Sequence, residues 1–180
     1  MSECLFCGVK GQAERLCGCD VCTMCSSGAY SAGLQRWGLE LSEERWEETT
    51  SGDNPQTRHV LRVTVKYPST LRLEAHFTRE GPLNRVRKFF GHKEMPAGDP
   101  LFDRFVWVDA EFQEDLAELL TTEAFQSAVM ELVSSGGVRL GEGWVRITRG
   151  RVDGDLQAFE VATPAILLAV QLEQRGRQRA

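Results

Sequence analysis

Six cysteines crowd the first 25 residues, as Cys4-x2-Cys7 and then Cys17-x-Cys19-x2-Cys22-x2-Cys25, and the rest of the 180-residue chain contains none. Thiols gathered so tightly must share one small volume. A Cys-x2-Cys pair forms a turn that aims both sulfurs at a single ion, and two such pairs complete a closed tetrahedral shell. The pattern predicts a structural zinc site. A closed shell leaves no coordination position for a substrate.

The main rival is a secreted disulfide framework. Met1-Ser2-Glu3-Cys4 starts acidic and reaches the cysteines without an apolar run, so no signal peptide is expected and the reducing cytoplasm is the expected compartment. With 180 residues, 42% of them hydrophobic, and a net charge of -5, the chain can hold one ordinary core and a small metal module besides. No apolar run approaches the roughly 18 residues a membrane span needs; the best candidate, Ala165 to Leu172, is far shorter. The acidic balance also argues against a general nucleic-acid binder, leaving only a local basic patch for that role.

Cys4-Leu5-Phe6-Cys7-Gly8 reads as a zinc knuckle, with Gly8 relieving crowding where amides turn toward the sulfurs. The second half, Cys17-Gly18-Cys19-Asp20-Val21-Cys22-Thr23-Met24-Cys25, leads into a helical stretch from Ser26 to Trp37 that carries Tyr30, Leu34 and Trp37. Knuckle, loop, knuckle and helix follow one another in treble-clef order. The spacing Cys-x2-Cys-x9-Cys-x-Cys-x2-Cys-x2-Cys resembles the first six ligand positions of a RING finger, with Cys17-Gly18-Cys19 standing where that family usually has Cys-Gly-His. The resemblance covers roughly residues 4 to 37. It implies that Cys4, Cys7, Cys22 and Cys25 share one zinc ion, while Cys17 and Cys19 begin a second site. No further Cys-x2-Cys follows Cys25, so the likeness is to half a RING. One zinc is expected and two are allowed: Cys17 and Cys19 are spare thiols, alternative ligands, or half of a site completed by His59, Asp20 or another chain.

Beyond Trp37, acidic residues from Glu40 to Glu48 interleave with Leu39, Leu41 and Trp46, and Ser42 is placed to cap a short helix. Thr49 to Arg58 is polar and punctuated by Gly52 and Pro55, as a linker is. The expected organisation is a zinc finger with its helical segment over 1–48, a linker over 49–58, and an α+β domain over 59–180.

In that domain Leu61, Val63, Val65 and Tyr67 alternate with Arg62, Thr64 and Lys66, and Leu71, Leu73, Ala75 and Phe77 repeat the period. Pro68-Ser69 between them predicts a hairpin, and Arg104 to Val108 a third strand. Two helices follow, one with Leu116, Leu119 and Leu120, the other with Phe125, Val129, Leu132 and Val133, ending at Gly136-Gly137. Further strands are predicted at Val138–Leu140, Trp144–Thr148 and Leu156–Val161, joined by Gly141-Glu142-Gly143 and Asp153-Gly154-Asp155. Thr163-Pro164 then opens a last helix. The fold class is α+β, a mainly antiparallel sheet with packed helices, preceded by a small treble-clef-like zinc finger. The stretch Gly98-Asp99-Pro100-Leu101-Phe102-Asp103-Arg104-Phe105 with Leu119-Leu120-Thr121 resembles an uncharacterised bacterial domain marked by Gly-Asp-x-x-Phe-Asp-x-x-Phe. That likeness covers roughly residues 59 to 174 and implies an auxiliary module without an established activity.

Catalytic signatures are missing from the sequence. Asp99 and Asp103 suit turn formation better than acid–base work or magnesium binding, and His59, His76 and His92 are dispersed. No phosphate loop, nucleophile elbow or His-Glu-x-x-His pair occurs. Arg79, Arg85, Arg87, Lys88 and Lys93 surround Phe89-Phe90, with Arg175, Arg177 and Arg179 near the end. The cluster reads first as the solvated side of an amphipathic segment, and Arg85, Arg87 and Lys88 are the residues to contact nucleic acid in the alternative. The expectation is a non-catalytic zinc-binding adaptor or regulatory protein that acts through a protein partner. The alternatives are a nucleic-acid-binding protein and a RING-like ubiquitin-type ligase.

Overall fold

The computed structural model describes residues 2–16, 19–26, 30–51, 54–68, 71–81, 95–111, 113–151 and 158–179. The N-terminal module is built from short pieces: β1 (Ser2–Glu3), β2 (Lys10–Gly11), β3 (Ala13–Leu16), β4 (Cys19–Cys22), α1 (Thr23–Ser26) and α2 (Ser31–Trp37). β1 pairs with β2 and β3 with β4, both antiparallel. Gly38 ends α2 in the left-handed region, φ 66°, and returns its N–H to the Gln35 and Leu34 carbonyls, a cap that favours glycine.

Residues 40–49 form a strand, β5 (Glu40–Thr49), not the helix expected from Ser42 and the acidic run. A helix would stack Glu40 on Glu44, Glu43 on Glu47 and Glu44 on Glu48, like charges one turn apart. As a strand, the same residues pair with β6 (Thr57–Lys66), where Glu40 faces Lys66, Glu44 faces Arg62, Glu47 faces His59 and Glu48 faces Arg58. Two of these matches close as ion pairs, at 3.7 Å for Lys66–Glu40 and 3.0 Å for Arg62–Glu44, and His59 Nδ1 lies 3.3 Å from a Glu47 carboxylate oxygen. The stretch read as a linker carries the hairpin connection, with Thr50 N–H donating to the Gln56 carbonyl at 3.0 Å.

The remaining elements are β7 (Ala75–Arg79), α3 (Pro100–Phe105), β8 (Val106–Asp109), α4 (Glu114–Leu120), α5 (Glu123–Ser135), β9 (Gly137–Gly141), β10 (Trp144–Arg151) and α6 (Ala158–Arg179). The six longer strands make one antiparallel sheet in the order β5-β6-β10-β9-β7-β8. The predicted hairpin between Leu61–Tyr67 and Leu71–Phe77 is not formed, because β5 and β10 occupy both sides of β6; Leu71 and Leu73 are buried but precede β7. The strand expected from Arg104 starts at Val106, since Asp99 and Pro100 nucleate α3 just before it. The α+β class stands: helices pack on one antiparallel sheet, with the cysteine cluster at the N-terminal end.

Cross-strand register sorts the sheet into two faces. Val65, Val145, Leu140 and Ala75 make one row, and Val63, Ile147, Val138 and Phe77 the next; all eight are buried. Helices α5 and α6 pack on this face, with Phe77 and Phe125 meeting edge to face at 6.1 Å. Of the strand expected at Leu156–Val161, Leu156 and Gln157 lie outside the described residues and Ala158 to Val161 are helical: α6 (Ala158–Arg179) runs through Pro164, which the sequence places at the helix start. Proline inside a helix removes one backbone bond. Here, every residue from Val161 to Val170 is buried, so apolar burial outweighs that loss. The turn predicted at Asp153-Gly154-Asp155 lies outside the described residues. No described helix is long and apolar enough to cross a membrane.

A helix buried on every side needs cover from two directions. The sheet covers one side of α6, and the cysteine module covers the other. Phe6, Val21, Cys25 and Tyr30 face Thr163, Ile166 and Leu167 of α6, and Tyr30 and Thr163 share a hydroxyl–hydroxyl hydrogen bond of 2.7 Å. Cys4, Phe6, Val21 and Cys25 therefore belong to the same core as the sheet.

Candidate metal centre

Each half of the cysteine pattern is shaped by its backbone. Between Cys4 and Gly8 the chain turns back, with Gly8 N–H donating to the Cys4 carbonyl at 2.9 Å and Cys4 N–H donating to the Val9 carbonyl at 2.9 Å. Gly8 sits at φ 82°, where a side chain is strained, and a Cβ there would also run into the Arg36 guanidinium. Leu5 N–H donates to the Asp20 carbonyl at 2.9 Å, which ties the first knuckle to the second. Trp37 Nε1 donates to the carbonyls of Leu5 and Phe6, at 3.1 Å each, and anchors α2 against the first knuckle.

The sulfurs of Cys4, Cys7, Cys22 and Cys25 all lie within 4.8 Å of one another. Cys7 and Cys22 are 3.6 Å apart at sulfur. That is far beyond a disulfide bond of about 2.05 Å. It is close to the edge of a sulfur tetrahedron built on metal–sulfur bonds of about 2.3 Å, roughly 3.8 Å. The donor set therefore fits a four-coordinate metal ion. Cys4 and Cys25 are 0% and 3% exposed, and Cys7 and Cys22 are half-buried.

Protonation within the cluster is uneven. At Cys4 burial disfavours the thiolate, but backbone N–H groups, led by that of Cys22 and joined by those of Cys7 and Phe6, bring its pKa down to about 7. Burial pushes the Cys7 and Cys25 thiols up. A metal ion displaces the thiol protons on binding, so retention weakens as pH falls.

Among the described residues, these four cysteines are the group of His, Cys, Asp and Glu side chains able to hold a metal. Cys17 lies outside the described residues, and Cys19 enters β4 opposite Leu16. Asp20 is exposed, and His59 pairs with Glu47 on the sheet. Arg85, Arg87 and Lys88 lie outside the described residues. Near the end of α6, Arg175 pairs with Glu118, Arg179 with Asp115 and Glu118, and Arg177 with Glu173 at 2.7 Å.

Asp99 and Asp103 organise a turn. The Asp99 carboxylate accepts the N–H groups of Leu101 and Phe102, at 2.8 and 2.9 Å, and Asp103 accepts those of Ala97 and Gly98, at 2.8 and 3.1 Å. Replacing Asp99 by alanine removes the α3 cap and is expected to lower stability by about 1 kcal/mol, read from the shift of a denaturant midpoint.

The sequence pattern did not point to Arg139, Arg146 and Trp144, which share the sheet face turned away from the helices. A signal for them was present. A two-residue connection at Glu142-Gly143 forces Gly141 opposite Trp144, and the same register puts Arg139 opposite Arg146.

No protein-family model, curated protein or solved structure matches the chain. The likenesses to a RING finger and to a bacterial domain thus rest on the residues that carry them. In the second, Phe105 follows Asp103 by two positions instead of the motif's three.

Proposed function

We propose that the chain is a non-catalytic zinc protein whose four-cysteine centre fastens the N-terminal module to the core, and that it works as an adaptor or regulatory module through a protein partner. One observation carries this reading: the cluster is built into the hydrophobic core through Cys4, Cys25, Phe6 and Val21. Four sulfurs fill a tetrahedral shell, and a filled, buried shell supports structure in preference to catalysis. Zinc suits a four-thiolate tetrahedron without redox chemistry. Support for a protein partner comes from α3, where Leu101 and Phe105, one turn apart, are 64% and 48% exposed.

Metal content per chain, measured together with free thiols before and after chelation, tests the centre. One zinc per chain and two thiols reactive before chelation, Cys17 and Cys19, are expected. Absence of metal, or a coloured iron centre, would overturn the zinc reading. Two zinc ions would mean that Cys17 and Cys19 join a second site, as the RING comparison implies.

A further inference from the structure

The face of the sheet turned away from α5 and α6 holds a groove of about 1080 Å³. One cross-strand row passes through all six strands: Ser42, Thr64, Arg146, Arg139, His76 and Asp109. At its centre two arginines face each other directly, with Cβ atoms expected about 5 Å apart in such a pair. Like charges so placed are unfavourable in a sheet. The two-residue turn at Glu142-Gly143, with Gly143 at φ 71°, locks the register and prevents a slip that would separate them.

Neither guanidinium meets a carboxylate among the described residues. Arg146 is instead held in place: its Nε donates to Thr64 Oγ1 at 3.4 Å, and its guanidinium carbon lies 4.7 Å from the Trp144 ring centroid. Trp144 lies across Gly141, where an added Cβ would come within 2.1 to 2.4 Å of the indole. Glycine at 141 thus allows the ring to lie flat and support Arg146.

We propose that Arg139 and Arg146 bind a compact oxyanion on this face, the phosphate group of a small molecule. A planar guanidinium presents paired donors matched to phosphate oxygens, and two facing guanidiniums can clamp one such group. Four carboxylates, Glu74, Asp109, Glu111 and Glu142, stand elsewhere along the groove. A nucleic-acid strand laid across it would run its phosphates into them, whereas a single phosphate over the arginine pair avoids them. The site is independent of the metal centre and of the partner reading above.

The test is a titration of the metal-loaded 180-residue chain with inorganic phosphate, followed by the Arg Nε–Hε NMR signals and the thermal midpoint. Saturable shifts at Arg146 are expected, with affinity reduced about tenfold or more in both Arg139→Gln and Arg146→Gln. Without phosphate each variant should melt at or above the parent midpoint, because a like-charge opposition is gone. The proposal is overturned by non-saturable shifts, or by equal binding in the variants, which marks an adventitious ion only. Lowered midpoints in both variants would also overturn it, by assigning the pair to the fold. A single-stranded oligonucleotide that binds more tightly than phosphate through the same arginines would transfer the site to a polymer.

Discussion

Replacing Cys4 by serine should abolish metal retention and unfold the N-terminal module together with the outer side of α6. Cys4 is fully buried and its sulfur is one of four gathered in a single cluster. Structural zinc contributes about 10 to 16 kcal/mol in small fingers, comparable with or larger than the about 5 to 15 kcal/mol that separates a whole domain from its unfolded state. The loss should therefore reach beyond the cluster. Amides of Val161 to Leu172, shielded between module and sheet, are expected to exchange with solvent far faster in Cys4→Ser, and a chelator should reproduce the effect in the parent chain. Cys19→Ser serves as the control and should keep its metal if one ion is held by Cys4, Cys7, Cys22 and Cys25. A Cys4→Ser chain with full metal and an unchanged midpoint would sink the assignment.

The second large effect is expected at Phe6, where docking can be separated from metal binding. Phe6 is 2% exposed, meets Tyr30 edge to face at 6.3 Å, and lies against Gly33, where a Cβ would fall 2.4 Å from three ring atoms. Phe6→Ala leaves all four sulfurs in place and empties the space beside Ile166 and Leu167. Removal of a buried phenylalanine costs about 3 to 5 kcal/mol. The variant should keep its metal and lose stability by that amount in chemical denaturation. Tyr30→Phe, which gives up the hydroxyl contact to Thr163, should cost about 1 kcal/mol. If Phe6→Ala matches the parent, the module is not docked on α6.

How far the sequence revealed this molecule depends on whether a signal was local. Cysteine spacing is local, and the four sulfurs converge as the RING likeness implied. The alternation at Leu61–Val65, the apolar stripes of α4 and α5, and the turn built by Asp99 and Asp103 are local too, and each appears in the structure. The acidic run at 40–48 misled because its partner lies across a turn: only beside Arg58, His59, Arg62 and Lys66 does the strand become the better state. Pro164 misled for a related reason. Its local meaning is a helix start, but cover from two layers favours a helix that continues through it. The facing pair of Arg139 and Arg146 stood between these cases, legible once the turn at Glu142-Gly143 was taken to fix the register.

The enclosure of α6 also imposes an order on biosynthesis. The contact between Tyr30 and Thr163 joins residues 133 positions apart, and the apolar back of the cysteine module has no cover until that helix leaves the ribosome. At about 5 to 20 residues per second, the interval is on the order of 10 seconds. Throughout it the nascent module displays Phe6, Val21 and a set of reactive thiols to the surrounding solution. Early metal capture would protect the thiols but not the apolar surface. Growing chains are thus most exposed to oxidation and mispairing before α6 arrives, and chains truncated ahead of residue 158 should accumulate in that vulnerable form.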